Sequence, residues 1–172
     1  ADDYFNNMIQ AIKVDAYKTR ISAQYFLSNE LSEYAIKTFL DARKEMKNPY
    51  VYSLELANIY RIINEKNLMV TEYLNYIIQN PSNLNYVKNT LQNLLRAPEE
   101  LESLSLLLYS RVQEFPENTI YNELLIWVNL QQKNFYGAFI QARALDRRMK
   151  TDGARSNQIG LITLENKDYD LA

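Results

Sequence analysis

The sequence predicts an all-α fold built from antiparallel helix pairs. Three observations carry that prediction: a repeat near 34 residues, apolar residues spaced as on helices, and few turn-forming residues. The chain has 172 residues, of which only three are Gly and four are Pro. The repeat shows first near the end of the chain. There Lys133-Asn134-Phe135-Tyr136-Gly137-Ala138 matches Lys167-Asp168-Tyr169-Asp170-Leu171-Ala172 at a distance of 34. A fixed period of this length marks a repeat architecture, in which extended surfaces replace a central pocket.

Ala16, Tyr50, Asn85, Thr119 and Gly153 serve as successive repeat starts, with steps of 34, 35, 34 and 34. One extra residue near Leu84 brings the whole chain into register. Six residues past each start stand Ser22, Leu56, Leu91, Leu125 and Ile159, followed by Ala23, Ala57, Gln92, Ile126 and Gly160. Nine past the start the column is apolar: Tyr25, Ile59, Leu94, Val128 and Ile162. The second half of each repeat aligns Ala35, Met69, Leu104, Ala138 and Ala172, then Phe39, Tyr73, Leu108 and Ala142 four residues on. Ala1 and Phe5 fall in the same two columns.

Each repeat therefore reads as two helices. Tyr52, Leu56, Ile59 and Ile63 follow an i, i+4, i+7, i+11 pattern, as do Val87, Leu91 and Leu94, and Tyr121, Leu125 and Val128. One such stripe per helix is the mark of an amphipathic helix facing a core. The small residues Ala23, Ala57 and Gly160 admit a close neighbour. Pro49, Pro81 and Pro116 cannot continue a preceding helix, and Pro98-Glu99-Glu100 suits a first turn. Asn67 and Asp152 are the expected N-caps. The expectation is about eleven helices with short links and no strand. The predicted divisions are a half-repeat 1–15, repeats 16–49, 50–84, 85–118 and 119–152, and a partial repeat 153–172.

Composition narrows the functional classes. Hydrophobic residues make up 47% of the chain, enough for a sizeable core. Net charge is −2 and the pI about 5.3, so no basic footprint for nucleic acid or anionic lipid is present at whole-chain level. No stretch approaches the ~18 apolar residues of a membrane span, and no membrane insertion is expected. Asp2 and Asp3 stand where a signal peptide would carry basic residues. There is no Cys and no His. The lack of His removes the commonest metal ligand and the usual general base near neutral pH. No catalytic residue, cofactor or metal is expected.

These columns resemble the tetratricopeptide repeat, a 34-residue helix-turn-helix unit. Leu56-Ala57-Asn58-Ile59-Tyr60 matches its first-helix signature, and Ala35, Phe39 and Ala42 its second. Asn166-Lys167-Asp168-Tyr169-Asp170-Leu171-Ala172 resembles its inter-helix turn. The resemblance covers the whole chain and implies a right-handed α-α superhelix, a single solenoid over 1–172. Two departures stand out. The family's first-helix Trp is replaced by Thr19, Ser53, Lys88, Asn122 and Ser156, with Tyr52, Val87 and Tyr121 one residue earlier to take over its packing. Gln92 and Ile126 replace small residues, so the third and fourth repeats should pack less closely or bend differently.

By the same resemblance, the face of each first helix opposite its stripe lines a concave groove that binds a protein or peptide. That face carries Tyr17, Arg20, Gln24 and Leu27 in the first repeat, then Val51, Leu54, Asn58 and Arg61. It continues through Tyr86, Asn89, Asn93 and Arg96 to Ile120, Glu123, Trp127, Leu130 and Gln131. Gln24, Asn58 and Asn93 form a carboxamide column, continued by Trp127, and carboxamides both donate to and accept from a peptide backbone. Arg61 and Arg96 are equivalent and suit carboxylates. Tyr17, Tyr86 and Trp127 are rigid anchors. Glu55, Tyr86 and Thr90 occupy slots where chaperone-binding relatives carry a carboxylate-gripping set, which argues against that activity.

Arg143, Arg147, Arg148, Lys150 and Arg155 form a late basic cluster, expected mainly as a solvated outer face. The repeat opens on a second helix and closes before another, which fits an excerpt of a longer protein or a unit that self-associates through its terminal repeats. The leading expectation is a non-catalytic binding scaffold. The alternatives are a structural spacer or oligomerisation segment, and a helical-array glycan-processing enzyme using Glu99, Glu100, Glu102 or Glu123. A run of acids at a helix start is better explained by the helix dipole.

Overall fold

The computed structural model describes residues 2–12 and 15–167. Among these residues all regular structure is helical: ten α-helices and one 3-10 turn, with no strand. The helices are α1 (Asp2–Ile12), α2 (Ala16–Ser28), α3 (Ser32–Glu45), α4 (Ser53–Ile62), α5 (Lys66–Gln79), α6 (Leu84–Leu94), α7 (Pro98–Glu114), α8 (Thr119–Gln131), α9 (Phe135–Met149) and α10 (Ala154–Glu165). The eleventh helix, expected from Ala172, lies outside the described residues, as does Ala1. No helix among the described residues is long and apolar enough to cross a membrane.

The chain forms two compact units, 1–82 and 83–172. The second begins beside Leu84, where the repeat register carries its extra residue. In the first unit α1 packs against α2 and α3, α2 against α3, α3 against α4, and α4 against α5. In the second, α6 and α7 each pack against α8, α8 against α9, and α9 against α10.

The second-helix columns supply the core. Ala35, Met69, Leu104 and Ala138 are buried, and so are Phe39, Tyr73, Leu108 and Ala142. First-helix stripes behave likewise at Leu56, Ile59, Val87, Leu91, Tyr121, Leu125 and Val128. Two stripe positions differ from the sequence reading: Tyr25 and Ile63 are exposed. Tyr25 lies on α2, and no earlier first helix is among the described residues.

The period also appears in the backbone. Glu30, Asn64, Lys133 and Lys167, fourteen residues past their repeat starts, all have φ between 57° and 63°. Each ends a first helix with the left-handed turn that satisfies its last carbonyls. Leu31, Glu65 and Asn134 amides then donate to Phe26, Tyr60 and Asn129 carbonyls, each at 2.8 Å. Because the turn closes so early, α5 starts at Lys66 with Glu65 as N-cap, and Asn67 sits inside the helix. Asp152 does accept from the Ala154 amide at 3.2 Å, but the cap residue itself is Gly153 at φ 85°. Asp15, Asn118 and Asn134 are the side-chain N-caps.

The third repeat breaks this pattern. Leu95 and Ala97 are extended, and α7 begins at Pro98. The residue before proline is driven out of the helical region, and proline itself fits a first turn. With an extended link in place of the left-handed turn, α6 and α7 are not among the closely packed pairs. Gln92, in the small-residue column, is exposed. The fourth repeat keeps a packed α8–α9 pair, with Ile126 buried in a cluster with Ala138, Ala142, Leu145 and Ile159.

The column that resembles the family's Trp slot is polar and inward-facing. Thr19, Ser53 and Asn122 are buried. Thr19 donates to the Ile12 carbonyl at 3.3 Å, and Arg148 donates to the Asn122 side chain at 2.8 Å and to the Pro116 carbonyl. Ser53 and Ser156 are each joined to the preceding second helix by Arg43 and Asp146. Tyr52, Val87 and Tyr121 fill the neighbouring apolar space.

Candidate partner-binding clefts

Each unit carries a cleft between two successive first helices. In the first unit Arg20, Ala23, Gln24 and Leu27 of α2 face Glu55, Asn58, Ile59 and Ile62 of α4, with Phe39 at the base, around about 250 Å³. In the second unit Glu123, Ile126, Trp127 and Leu130 of α8 face Arg155, Gln158, Ile159 and Ile162 of α10, with Lys88 of α6 alongside, around about 160 Å³. The α2 and α8 walls use the same four repeat positions: four, seven, eight and eleven residues past Ala16 and Thr119. Two of these are a turn apart on one helix face, so the periodicity of the sequence becomes the periodicity of the clefts.

Both clefts are bridged by an ion pair of opposite polarity. Arg20 Nε lies 2.9 Å from Glu55 Oε1 across α2 and α4, and Arg155 Nε lies 2.8 Å from Glu123 Oε1 across α10 and α8. The Arg20 guanidinium also sits 5.2 Å from the Tyr52 ring centroid, a cation–π contact. Tyr52 precedes α4 at φ 62° and packs its ring 5.0 Å from that of Phe39. A left-handed non-glycine residue costs on the order of 1–3 kcal/mol and persists where its surroundings over-determine it.

Of the expected groove residues, Arg20, Gln24 and Asn58 line the first cleft, and Glu123 and Trp127 the second. Tyr17, Arg61, Asn89, Asn93 and Arg96 are exposed on their helices, as is Tyr86, and Leu54 is half-buried. None of these seven lines either cleft. Arg61 and Asn58 belong to the first unit, Arg96 and Asn93 to the second. Arg96 turns back on its own helix, donating from Nε to the Asn93 carbonyl at 3.1 Å. It borders a separate depression with Pro98, Glu102 and Lys133, opened by the break between α6 and α7.

Lys88 and Arg155 are the charged residues of the second cleft that the helical-face reading missed. Their side chains come from helices neighbouring α8, so no single-helix pattern places them there. Burial pushes the Lys88 ammonium below its usual range, and Glu123 pulls it back up. The late basic cluster divides: Arg155 is committed to Glu123 and Asp146, Arg148 to Asn122 and Pro116, while Arg143, Arg147 and Lys150 are exposed. Glu100 accepts from the Arg96 and Ala97 amides at 2.8 and 3.0 Å, the helix-start role expected of it. In comparisons with known proteins, no family model matches the chain, no curated protein matches its sequence and no solved structure matches its fold.

Proposed function

We propose that this chain is a divergent tetratricopeptide-like array, its helix pairs following a right-handed superhelix, and that it is a non-catalytic scaffold. Its ligand is an extended segment of a protein partner, held along the first-helix faces. The observation that carries this reading is the recurrence of one cleft, on the same four repeat positions, in both units. Recurrent clefts suit a ligand that itself repeats, as a peptide backbone does. Their volumes, about 250 and 160 Å³, fall below the ~300–1,000 Å³ of small-molecule sites. Gln24 and Asn58 add donors and acceptors for the peptide backbone.

The test is selection of random dodecapeptides on the immobilised chain. Selected peptides should bind an Asn58→Ala, Trp127→Ala variant of equal helicity at least about tenfold more weakly, the loss of one or two anchoring contacts. Equal binding by both proteins would place the ligand elsewhere.

A second reading, self-association, is supported by one observation. Tyr17, Ile21 and Tyr25 form an exposed apolar row along α2, with Tyr17 at 74% and Tyr25 at 55% exposure. The equivalent Ile59 and Val128 are buried where a preceding first helix is present. Concentration-dependent sedimentation abolished by Tyr17→Lys, Tyr25→Lys would favour it, and a monomer at all concentrations would remove it.

A further inference from the structure

We propose that the α8/α10 cleft receives the side-chain carboxylate of an Asp or Glu in the bound segment, next to an apolar residue, with Lys88 as its counter-charge. This rests on the peptide-binding reading above and adds what the peptide must carry.

The Lys88 side chain makes no hydrogen bond or ion pair with any described residue, although it is half-buried beside the cleft. The opposing charge that acts on it, Glu123, is already bound to Arg155 at 2.8 Å. Arg155 divides itself further, reaching Asp146 at 3.2 Å. An ammonium group has three donors and no acceptor, so the three of Lys88 are left for something that enters the cleft. Lysine withdrawn from water without a partner is an unfavourable arrangement unless a ligand completes it.

Charge selects the ligand. Arg155 is taken up by Glu123 and Asp146, so Lys88 is the cation of the lining left to meet a ligand, and its single charge matches one carboxylate. A phosphate, near −2 at neutral pH, would leave an excess beside Glu123. Besides Gln158, the remaining walls are apolar: Ile126, Trp127, Leu130, Ile159 and Ile162. They call for an apolar side chain next to the acid and strengthen the pair by excluding water. The first-unit cleft supplies the contrast, since Arg20 and Glu55 cancel and no third charge lines it. The acid preference therefore belongs to one cleft of the two.

The experiment is the dodecapeptide selection run in parallel on the wild-type chain, Lys88→Met and Lys88→Arg, with the peptides fused to a coat protein so that every recovered carboxylate is a side chain. Expected is enrichment of Asp or Glu beside an apolar residue on wild type and Lys88→Arg, and its loss on Lys88→Met with the apolar preference kept. In a representative synthetic peptide, changing the acid to its amide should weaken wild-type binding at least about tenfold, as loss of a charged hydrogen bond does, and leave Lys88→Met binding within about twofold. Trp127, the one tryptophan of the chain, reports occupancy of this cleft by fluorescence. Peptides that bind equally as acid and amide would overturn the carboxylate assignment while leaving the groove reading intact. Acid preference undiminished in Lys88→Met would overturn the role of Lys88. Tighter binding of a phosphoserine peptide than of its Glu counterpart would overturn the charge match. No enrichment on any of the three proteins would overturn both readings together.

Discussion

Arg43 and Asp146 occupy the same repeat position, 27 residues past Ala16 and Thr119, and each bonds the serine at the fourth position of the next repeat. Arg43 donates from Nη2 to Ser53 Oγ at 3.3 Å, while Ser156 Oγ donates to Asp146 Oδ2 at 2.8 Å. The junction between successive repeats is thus fixed by one geometry with the charge reversed. A second helix is tied to the start of the following first helix, which in turn sets the walls of the two clefts.

Asp146 should make stability acid-sensitive. Burial raises its carboxyl, but the Ser156 amide and hydroxyl, the Thr151 hydroxyl and the Arg155 guanidinium outweigh that and hold it at about 2, against 3.8 unperturbed. A carboxyl lowered in the folded state stabilises above its unfolded pKa and loses that contribution as pH falls towards 2. On the order of 2 kcal/mol is at stake, most of it lost between about pH 5 and pH 2. Denaturant unfolding of Asp146→Asn should show this deficit at pH 7, narrowing towards zero near pH 2.

The buried pair of Arg43 and Glu72 should be costly to halve and cheap to replace. Arg43 meets both Glu72 oxygens at 2.8 and 2.9 Å and the Val51 carbonyl at 2.9 Å, with side-chain exposures of 11% and 8%. Glu72→Ala leaves an unpaired buried guanidinium and should cost about 3–5 kcal/mol. Arg43→Met with Glu72→Leu should recover most of that loss in the same unfolding measurement.

The left-handed turn residues offer stabilising substitutions. Lys133→Gly and Glu30→Gly relieve the Cβ at φ 57° and 62° and should each raise stability by about 0.5–1 kcal/mol. The equivalent change in the third repeat, Glu99→Gly, falls within α7 and should lower it by a similar amount. Thermal melts of the three variants check the contrast, and the same sign at all three positions would refute it.

The small-residue column separates the repeats in the same way. Ala57 is fully buried, so Ala57→Leu overpacks and should cost about 1–3 kcal/mol. Gln92→Ala, in the same column but exposed, should stay within about 0.5 kcal/mol. Unfolding midpoints of the two variants measure the difference.

How far the sequence can be read follows from what it encodes locally. Burial repeats with the helix period, so Phe39, Tyr73, Leu108 and Ala142 are recognisable as core from their spacing alone. The turn residues Glu30 and Lys133 carry no such signal, because glycine or asparagine is the usual mark of that conformation, which at the equivalent position only Asn64 supplies. Asn67 has the side chain of a cap but does not act as one, because the turn at Asn64 closes ahead of it and Glu65 takes the cap position. Pro98 is recognisable as a helix start, but its effect on the α6–α7 pairing depends on the length of extended chain before it. In the clefts, Gln24, Asn58, Glu123 and Trp127 are legible from one helix face each. Ile62, Arg155 and Lys88 come from the facing walls, and only the packing of neighbouring helices brings them in.

Occupancy of the α8/α10 cleft by a peptide is tested most directly by Trp127 emission. Titration with a peptide from the library should give a saturable shift in Trp127 fluorescence, at the same dissociation constant that calorimetry returns. Saturation by calorimetry with no change at Trp127, for every selected peptide, would show that the α8/α10 cleft stays empty and would contradict its occupancy by the peptide.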